Sequence, residues 1–301
     1  MRLFLLCLSM LFLIGCEKKV EEYTPEYSDT QAVSKKVLIF GVHPLHNPKR
    51  LFEVYQPLVD HLNNHLDNVK IKLEASRNYA AYNKKLFARH FDFSLPNPYQ
   101  TVQSLNHGYK VFGKMGDDEK FRGLILVRMD SDIKEVQDLK GKNVSYPAPT
   151  ALAATMMPQW YLHINGINVT KDIKNSYVGS QESSIMNVYL GKSAASSTWP
   201  LAWNMFIKER PEILEKVKIM WETKSLPNNG LVVKEELDEK IIQQVSTILF
   251  NLQSHPEGQE LLESMNISQF EQADTKTYES VVDFLEKFEK EVRSIRGKND
   301  K

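Results

Sequence analysis

Between Tyr146 and Gly166 the chain runs through Pro147-Ala148-Pro149-Thr150-Ala151-Leu152-Ala153-Ala154 and then through mostly apolar residues. This pattern predicts a strand end, a Pro-flanked turn of small residues, and a helix opening beside Thr150. The first amides of a helix have no acceptor within it and sit at the positive end of its dipole, so such a start can hold an anion. Pro147 and Pro149 keep the entering chain extended, and Ala151, Ala153 and Ala154 let a ligand approach the backbone closely. A Pro-rich loop in an ordinary αβ unit accounts for the same residues without any ligand. The rest of the chain has to decide between the two.

Few other side chains carry chemistry. His43 follows an apolar strand, where cleft residues belong in an α/β protein. Trp199, in Ser196-Ser197-Thr198-Trp199-Pro200, reads as a loop residue able to wall a pocket, as Trp203 and Tyr161 could. Arg122 could clamp an anion but reads more simply as a solvated strand residue. Lys192, just after Gly191, reads as a partner for a helix C-terminus. His61 and His65 share a helix face, yet Leu62-Asn63-Asn64 between them lacks the glutamate of a zinc peptidase helix, so no metal site is expected. Asp92 and Asp138 read as caps or loop anchors. There is no Gly-x-Ser-x-Gly elbow, no P-loop, no Rossmann glycine series and no recognisable acid/base carboxylate pair. No catalytic residue and no cofactor is expected.

The elements that must position these groups follow from periodicity. Val37–Val42 is a continuous apolar run, a buried strand; Leu51, Val54, Tyr55, Leu58, Val59, Leu62 and Leu66 fall at helical spacing; residues 69–74 alternate as a strand. Residues 79–90 read as a helix and 91–95 as a short strand, so strand and helix alternate and a mainly parallel sheet is expected. Strands are predicted at 121–127, 143–146, 176–178, 217–221 and 230–233, with a helix at 183–190 and helical pattern throughout 235–296. Two αβ halves with the chain crossing between them predict two lobes around a cleft.

The 38 basic and 38 acidic residues cancel, and nothing in that balance calls for nucleic acid. Arg2, an apolar stretch from Leu3 to Ile14, and Gly15-Cys16 form a segment too short to span a bilayer. Leu13-Ile14-Gly15-Cys16 looks like a bacterial lipobox, in which Cys16 is lipidated and anchors the chain to a membrane. Glu17, not Asp, follows it, which leans toward the outer membrane if the cell is Gram-negative. The second cysteine, Cys7, lies in the expected signal segment, so no disulfide or thiol chemistry remains. Residues 17–35 are polar and charged and read as a flexible tether.

In order and spacing, several pieces resemble the extracytoplasmic solute-binding proteins of phosphate, phosphite and phosphonate ABC transporters. They are Gly41-x-x-Pro44, Asn78-Tyr79-x-Ala81, Phe91-Asp92-Phe93-Ser94 with Pro96-x-Pro98-Tyr99, Asp130-Ser131-x-Ile133 before Asp138-Leu139-Lys140-Gly141-Lys142, Pro149 to Pro158, Gly179-Ser180-Gln181-Glu182, and Tyr278. The resemblance implies an α/β, type 2 periplasmic-binding fold divided as signal peptide 1–15, tether 16–35, first lobe 36–122, second lobe 123–225, and return to the first lobe over 226–301. It implies a monomer that takes a small anionic solute in the cleft and delivers it to an inner-membrane permease. By position, Tyr79, Asn97, Tyr99, Phe121, Thr150, Ala151, Leu152, Ala153, Gln181 and Glu182 fall where the family lines its cleft, joined here by His43 and Trp199 on the residue reading. The chain departs from the family where Ser-Thr-Ser-Gly is replaced by Ala151-Leu152-Ala153-Ala154, where a Tyr is Phe121, where a His-Asp pair is Gln181-Glu182, and where an acidic residue is absent from Lys192-Ser193-Ala194-Ala195. Each lost neutral donor is worth ~1 kcal/mol, enough together to change the ligand. A ligand-sensing lipoprotein working with a receptor or sensor kinase is the alternative; an enzyme or structural lipoprotein on the same fold is the third.

Overall fold

The structure, a computed structural model, describes residues 35–295. Cys16, the expected signal segment and all of the tether before residue 35 lie outside that range. Chain order begins with β1 (Lys36–Val42), α1 (Pro48–Asn64), β2 (Val69–Glu74), α2 (Tyr79–Phe87), β3 (Phe93–Leu95), α3 (Pro98–Leu105) and β4 (Tyr109–Met115). Next come β5 (Leu124–Arg128), β6 (Asn143–Tyr146), α4 (Met157–Ile164), β7 (Lys174–Tyr177), α5 (Gln181–Tyr189), β8 (Ala195–Thr198), α6 (Pro200–Glu209) and β9 (Val217–Glu222). The chain closes with β10 (Gly230–Lys234), α7 (Glu239–Phe250), α8 (Pro256–Ser264), β11 (Phe270–Glu271) and α9 (Glu279–Glu291).

Local chemistry explains the elements next to the site. In α1, Asn47 caps the Arg50 amide, Pro48 opens the helix, and Leu51, Val54, Tyr55, Leu58, Val59 and Leu62 form its buried stripe. In β2 the buried Val69, Ile71 and Leu73 alternate with exposed Lys70 and Lys72. Asn97 and Gln100 make a reciprocal capping box at the start of α3. Asp92 accepts from the Ile39 amide and pairs with Lys234, and Asp138 accepts from the Lys134 and Glu135 amides, so both anchor loops.

The strands form two sheets, ordered β11-β4-β10-β3-β1-β2 and β7-β6-β8-β5-β9. The expectation of mainly parallel sheets is corrected. Four pairs are parallel (β1–β2, β1–β3, β6–β7, β6–β8) and five antiparallel (β10–β3, β10–β4, β11–β4, β5–β8, β5–β9). The reason is topological: β10 returns late and slots between β3 and β4 running against both. Three local expectations change too. Phe121 precedes a strand that starts only at Leu124, residues 195–198 are a central strand and not a loop, and β11 interrupts the C-terminal helices. Ala195-Ser196-Ser197-Thr198 is buried throughout yet has no apolar alternation, so periodicity could not show it.

Two crossovers, residues 116–123 and 223–229, join the sheets and lie side by side. Thr223 and Leu226 donate amides to the carbonyls of Gly123 and Phe121 (3.0 and 3.1 Å). Asn228 ties them further: its Nδ2 donates to Gly116 O (2.7 Å), its amide to Asp118 Oδ1 (2.8 Å), and its carbonyl accepts the buried Tyr278 hydroxyl (2.7 Å). Asn228→Ala therefore leaves the Gly116 carbonyl without its side-chain donor. We expect a loss of about 2 kcal/mol in the urea unfolding free energy with an unchanged m-value; a loss below ~0.5 kcal/mol rejects this role for the asparagine.

Candidate functional site

The expected helix start is a π-helical turn, Leu152–Met156, that runs into α4. Its first intrahelical bond joins the Met156 amide to Ala151 O (3.2 Å). The amides of Leu152, Ala153, Ala154 and Thr155 all come before that bond, so this start presents N–H groups as an α-helix start does. In a trans peptide the carbonyl of one residue and the amide of the next point in opposite directions. Other elements occupy the carbonyl side. Asn97 Nδ2 donates to Thr150 O (3.0 Å) and Ser197 Oγ to Ala154 O. Gly123 presses on Ala153 O, and a Cβ at position 123 would lie 2.6 Å from that oxygen. With the carbonyls engaged there, the amides are left for the opposite side.

Around this turn lies a small space of about 10 Å³ lined by buried side chains, room for roughly one water. His43, Tyr79, Asn97, Phe121, Ala151, Leu152, Ala153, Gln181 and Trp199, nine of the twelve expected residues, line it together with Ala154 and Asn229. They come from both sheets. His43 follows β1, Tyr79 opens α2, Asn97 caps α3, and Asn229 precedes β10; the alanine turn, Gln181 and Trp199 belong to the β5–β9 half. Tyr79 and Gln181 face each other across the space, and Gln181 Oε1 accepts from Thr198 Oγ1 (2.9 Å). Phe121 and Trp199 meet edge to face at 5.4 Å.

Tyr99, Thr150 and Glu182 do not line this space. Tyr99 is buried on α3, and Thr150 contributes its carbonyl to Asn97. Glu182 borders a separate hollow of about 330 Å³ with His46, Arg50, Phe206 and Arg210, where its Oε2 is buried without a protein hydrogen-bond partner. Arg122 is turned away, paired with Glu222 and donating to Glu119 O (2.8 Å). His61 pairs with Glu257 (3.1 Å) beside His65, and no group of three metal-ligating side chains occurs among the described residues. Sequence reasoning missed Asn229, whose Oδ1 is buried and unpartnered at the site, and Thr155, whose buried hydroxyl is likewise unpartnered. Asn229 gave no signal beyond an Asn-Asn-Gly turn.

No charged side chain lines the space. Burial pushes the His43 imidazole down to about 4, against the raising effect of its 2.9 Å hydrogen bond to the Leu95 carbonyl. That carbonyl can only accept, so Nδ1 carries the proton and Nε2 is bare. Burial, then Arg50 and His43, push His46 down to about 3, and burial pushes the Tyr79 phenol up. The site thus meets a guest with dipoles, N–H groups and aromatic faces. Fixed dipoles in a water-excluded pocket can still hold an anion firmly.

Residues 40–278 match the family model described as ABC transporter, phosphonate, periplasmic substrate-binding protein. A probable phosphite-binding protein of an ABC transporter from Prochlorococcus marinus (strain MIT 9301) is 20% identical over 186 residues, 58% of this chain and 63% of that protein. The match thus spans less than two thirds of that relative's length. A solved structure from the same organism, in complex with methylphosphonate, aligns with a TM-score of 0.77 at 20% identity, covering 85% of this chain and 99% of that one. A binding protein component of an ABC phosphonate transporter from Pseudomonas aeruginosa aligns with a TM-score of 0.76 at 15% identity, covering 83% and 85%. At these identities the structural likeness establishes the fold.

Two buried neutral histidines set an acid limit. Below the ordinary value of 6.5 the unfolded chain gains protons on His43 and His46 that the folded chain refuses until about 4 and 3, so stability falls as pH drops through that window. Urea unfolding at pH 8, 6.5 and 5 should show it, at up to about 1.4 kcal/mol per pH unit for each imidazole. His43→Gln should flatten the slope; an unchanged slope would show that His43 is protonated when folded.

Proposed function

The chain belongs to the family of periplasmic phosphonate-binding proteins of ABC transporters, and we propose that it captures a small phosphorus oxyanion, a phosphonate or phosphite, between its two sheets. Members of this family are substrate-binding proteins and not enzymes. One observation carries the reading: the π-helical start and polar groups from the opposite sheet converge on a single space lined by buried residues. The turn amides take the oxyanion, while Tyr79, Asn97, Gln181 and Asn229 take its remaining hydrogen-bonding positions, and Trp199 and Phe121 cover its apolar side.

A phosphorus oxyanion needs more room than the ~30 Å³ share of one water, so entry requires the halves to part. Residues 36–122 with 226–295 form one lobe and 123–225 the other, hinged at the paired crossovers. Ligand contacts from both lobes exist together only when closed, and binding therefore favours that state. The protein acts as a monomer, is held at the extracytoplasmic face by lipid on Cys16, and hands its ligand to a permease. The alanines at 151, 153 and 154 supply no hydroxyl, so specificity rests on backbone, on Gln181 and on the opposite lobe.

Calorimetric titration with methylphosphonate, phosphite and phosphate tests the reading. At least one should bind, and Ala151→Leu should weaken it at least a hundredfold, because the side chain at 151 is buried at the wall of a space with no room to spare. No heat with any of these anions, or full affinity in the leucine variant, overturns it. Separately, Cys16→Ser should move the protein from the membrane fraction to the soluble one; retention in the membrane fraction rejects the anchor.

A further inference from the structure

The last described segment makes a third link between the two sheets, one with no covalent crossover. Helix α9 buries Val281, Leu285 and Phe288 in the core of the six-stranded half. Just beyond it, Val292 packs against the cores of both halves. Arg293 then reaches the five-stranded half: Nε donates to Gln159 Oε1 of α4 (2.8 Å) and NH2 to the Pro149 carbonyl (2.7 Å). The guanidinium lies 5.1 Å from the Phe288 ring centroid, so its near side stacks on its own helix while its far side holds the turn. Gln159 is fully buried and donates to Asn175 Oδ1 (3.1 Å) and Tyr177 Oη (3.2 Å), which gives the clamp a rigid footing.

We propose that Arg293 is a positioning residue of the binding site, which orients the entry to the π-helical turn by clamping Pro149 and Gln159 to the six-stranded half. This rests on the oxyanion site described above. The adjacent carbonyls of Pro149 and Thr150 are both held from the six-stranded half, one by Arg293 and the other by Asn97. Because each trans peptide is planar, two fixed carbonyls fix the two successive peptide planes, those ending at the Thr150 and Ala151 amides, through which the chain enters the turn. None of the hydrogen-bond partners of Arg293 (Gln159, Ser294 and Pro149) lines the space itself, so it acts on ligand affinity through the turn. It also lies beyond the residues that match the family model, 40–278, and is not part of that shared pattern.

Two measurements on the full chain test this, one without ligand. In Arg293→Ala, amide hydrogen exchange at residues 150–157 should accelerate about tenfold, as for loss of a charged hydrogen bond, while the strands of both sheets exchange as before. Arg293→Lys, which can reach one acceptor but not both in the same fork, should restore part of the protection. Gln159→Ala, which removes the other end of the clamp, should mimic Arg293→Ala. With methylphosphonate or phosphite, whichever the parent binds, the alanine variant should lose about tenfold in Kd, mostly through faster release. Unchanged exchange at 150–157, acceleration spread evenly over the chain, or no gain from lysine overturns the proposal. If the parent binds neither anion, the oxyanion reading fails and the exchange experiment alone still decides the role of Arg293.

Discussion

The structure depends on one constraint: a helix beginning with a π turn has amides that its own backbone cannot satisfy, and they must be aimed. Aiming is done from the carbonyl side. Asn97, Ser197, Gly123 and Arg293 hold or press on the carbonyls of Thr150, Ala154, Ala153 and Pro149 respectively. Those four residues come from a helix cap, a central strand, a crossover and the C-terminal tail, so nearly every part of the fold converges on eight residues of backbone. A site built from side-chain hydroxyls would need less of this. Alanines leave the backbone as the main donor, and backbone geometry is set by what packs around it.

Neutrality follows from the same arrangement. Burial between two sheets penalises any charge that lacks a partner, and the groups lining the space are neutral. His43 keeps its proton on the nitrogen facing Leu95 and refuses a second one. Charged residues lie around the site and not in it, many of them already paired: Arg122 with Glu222, Lys114 with Asp118 and Glu271, Arg50 with Glu209. The partly exposed Arg50–Glu209 pair joins α1 to α6, hence one half to the other, and in water such a pair contributes little. The two halves are joined more firmly by the buried Asn97–Thr150 hydrogen bond than by surface charge.

Much of the fold could be read from periodicity because its strands and helices bury regular faces. β1, β2 and α1 are examples, where the apolar positions fall at the spacing the backbone demands. β8 could not be read this way. A strand buried along its whole length and paired on both edges needs no large apolar side chains of its own, and Ala-Ser-Ser-Thr looks like a loop. Antiparallel pairing was equally hidden, since nothing local in Gly230–Lys234 records that it inserts between β3 and β4.

For the site, the sequence by itself determined the chemical character of the turn. Two prolines, a run of alanines and an apolar continuation suffice for an extended entry and an open helix start, because those are local preferences of φ, ψ and side-chain size. By resemblance it also indicated seven of the residues that meet around one space, and the residue reading added His43 and Trp199. Only the tertiary structure decided that the start is π-helical, that Glu182 borders a different hollow, that Asn229 lines the space and that Arg293 bonds the Pro149 carbonyl. Those outcomes depend on contacts between residues as many as 144 positions apart, Arg293 with Pro149, whose closeness no local preference encodes and which exist only once both sheets have formed.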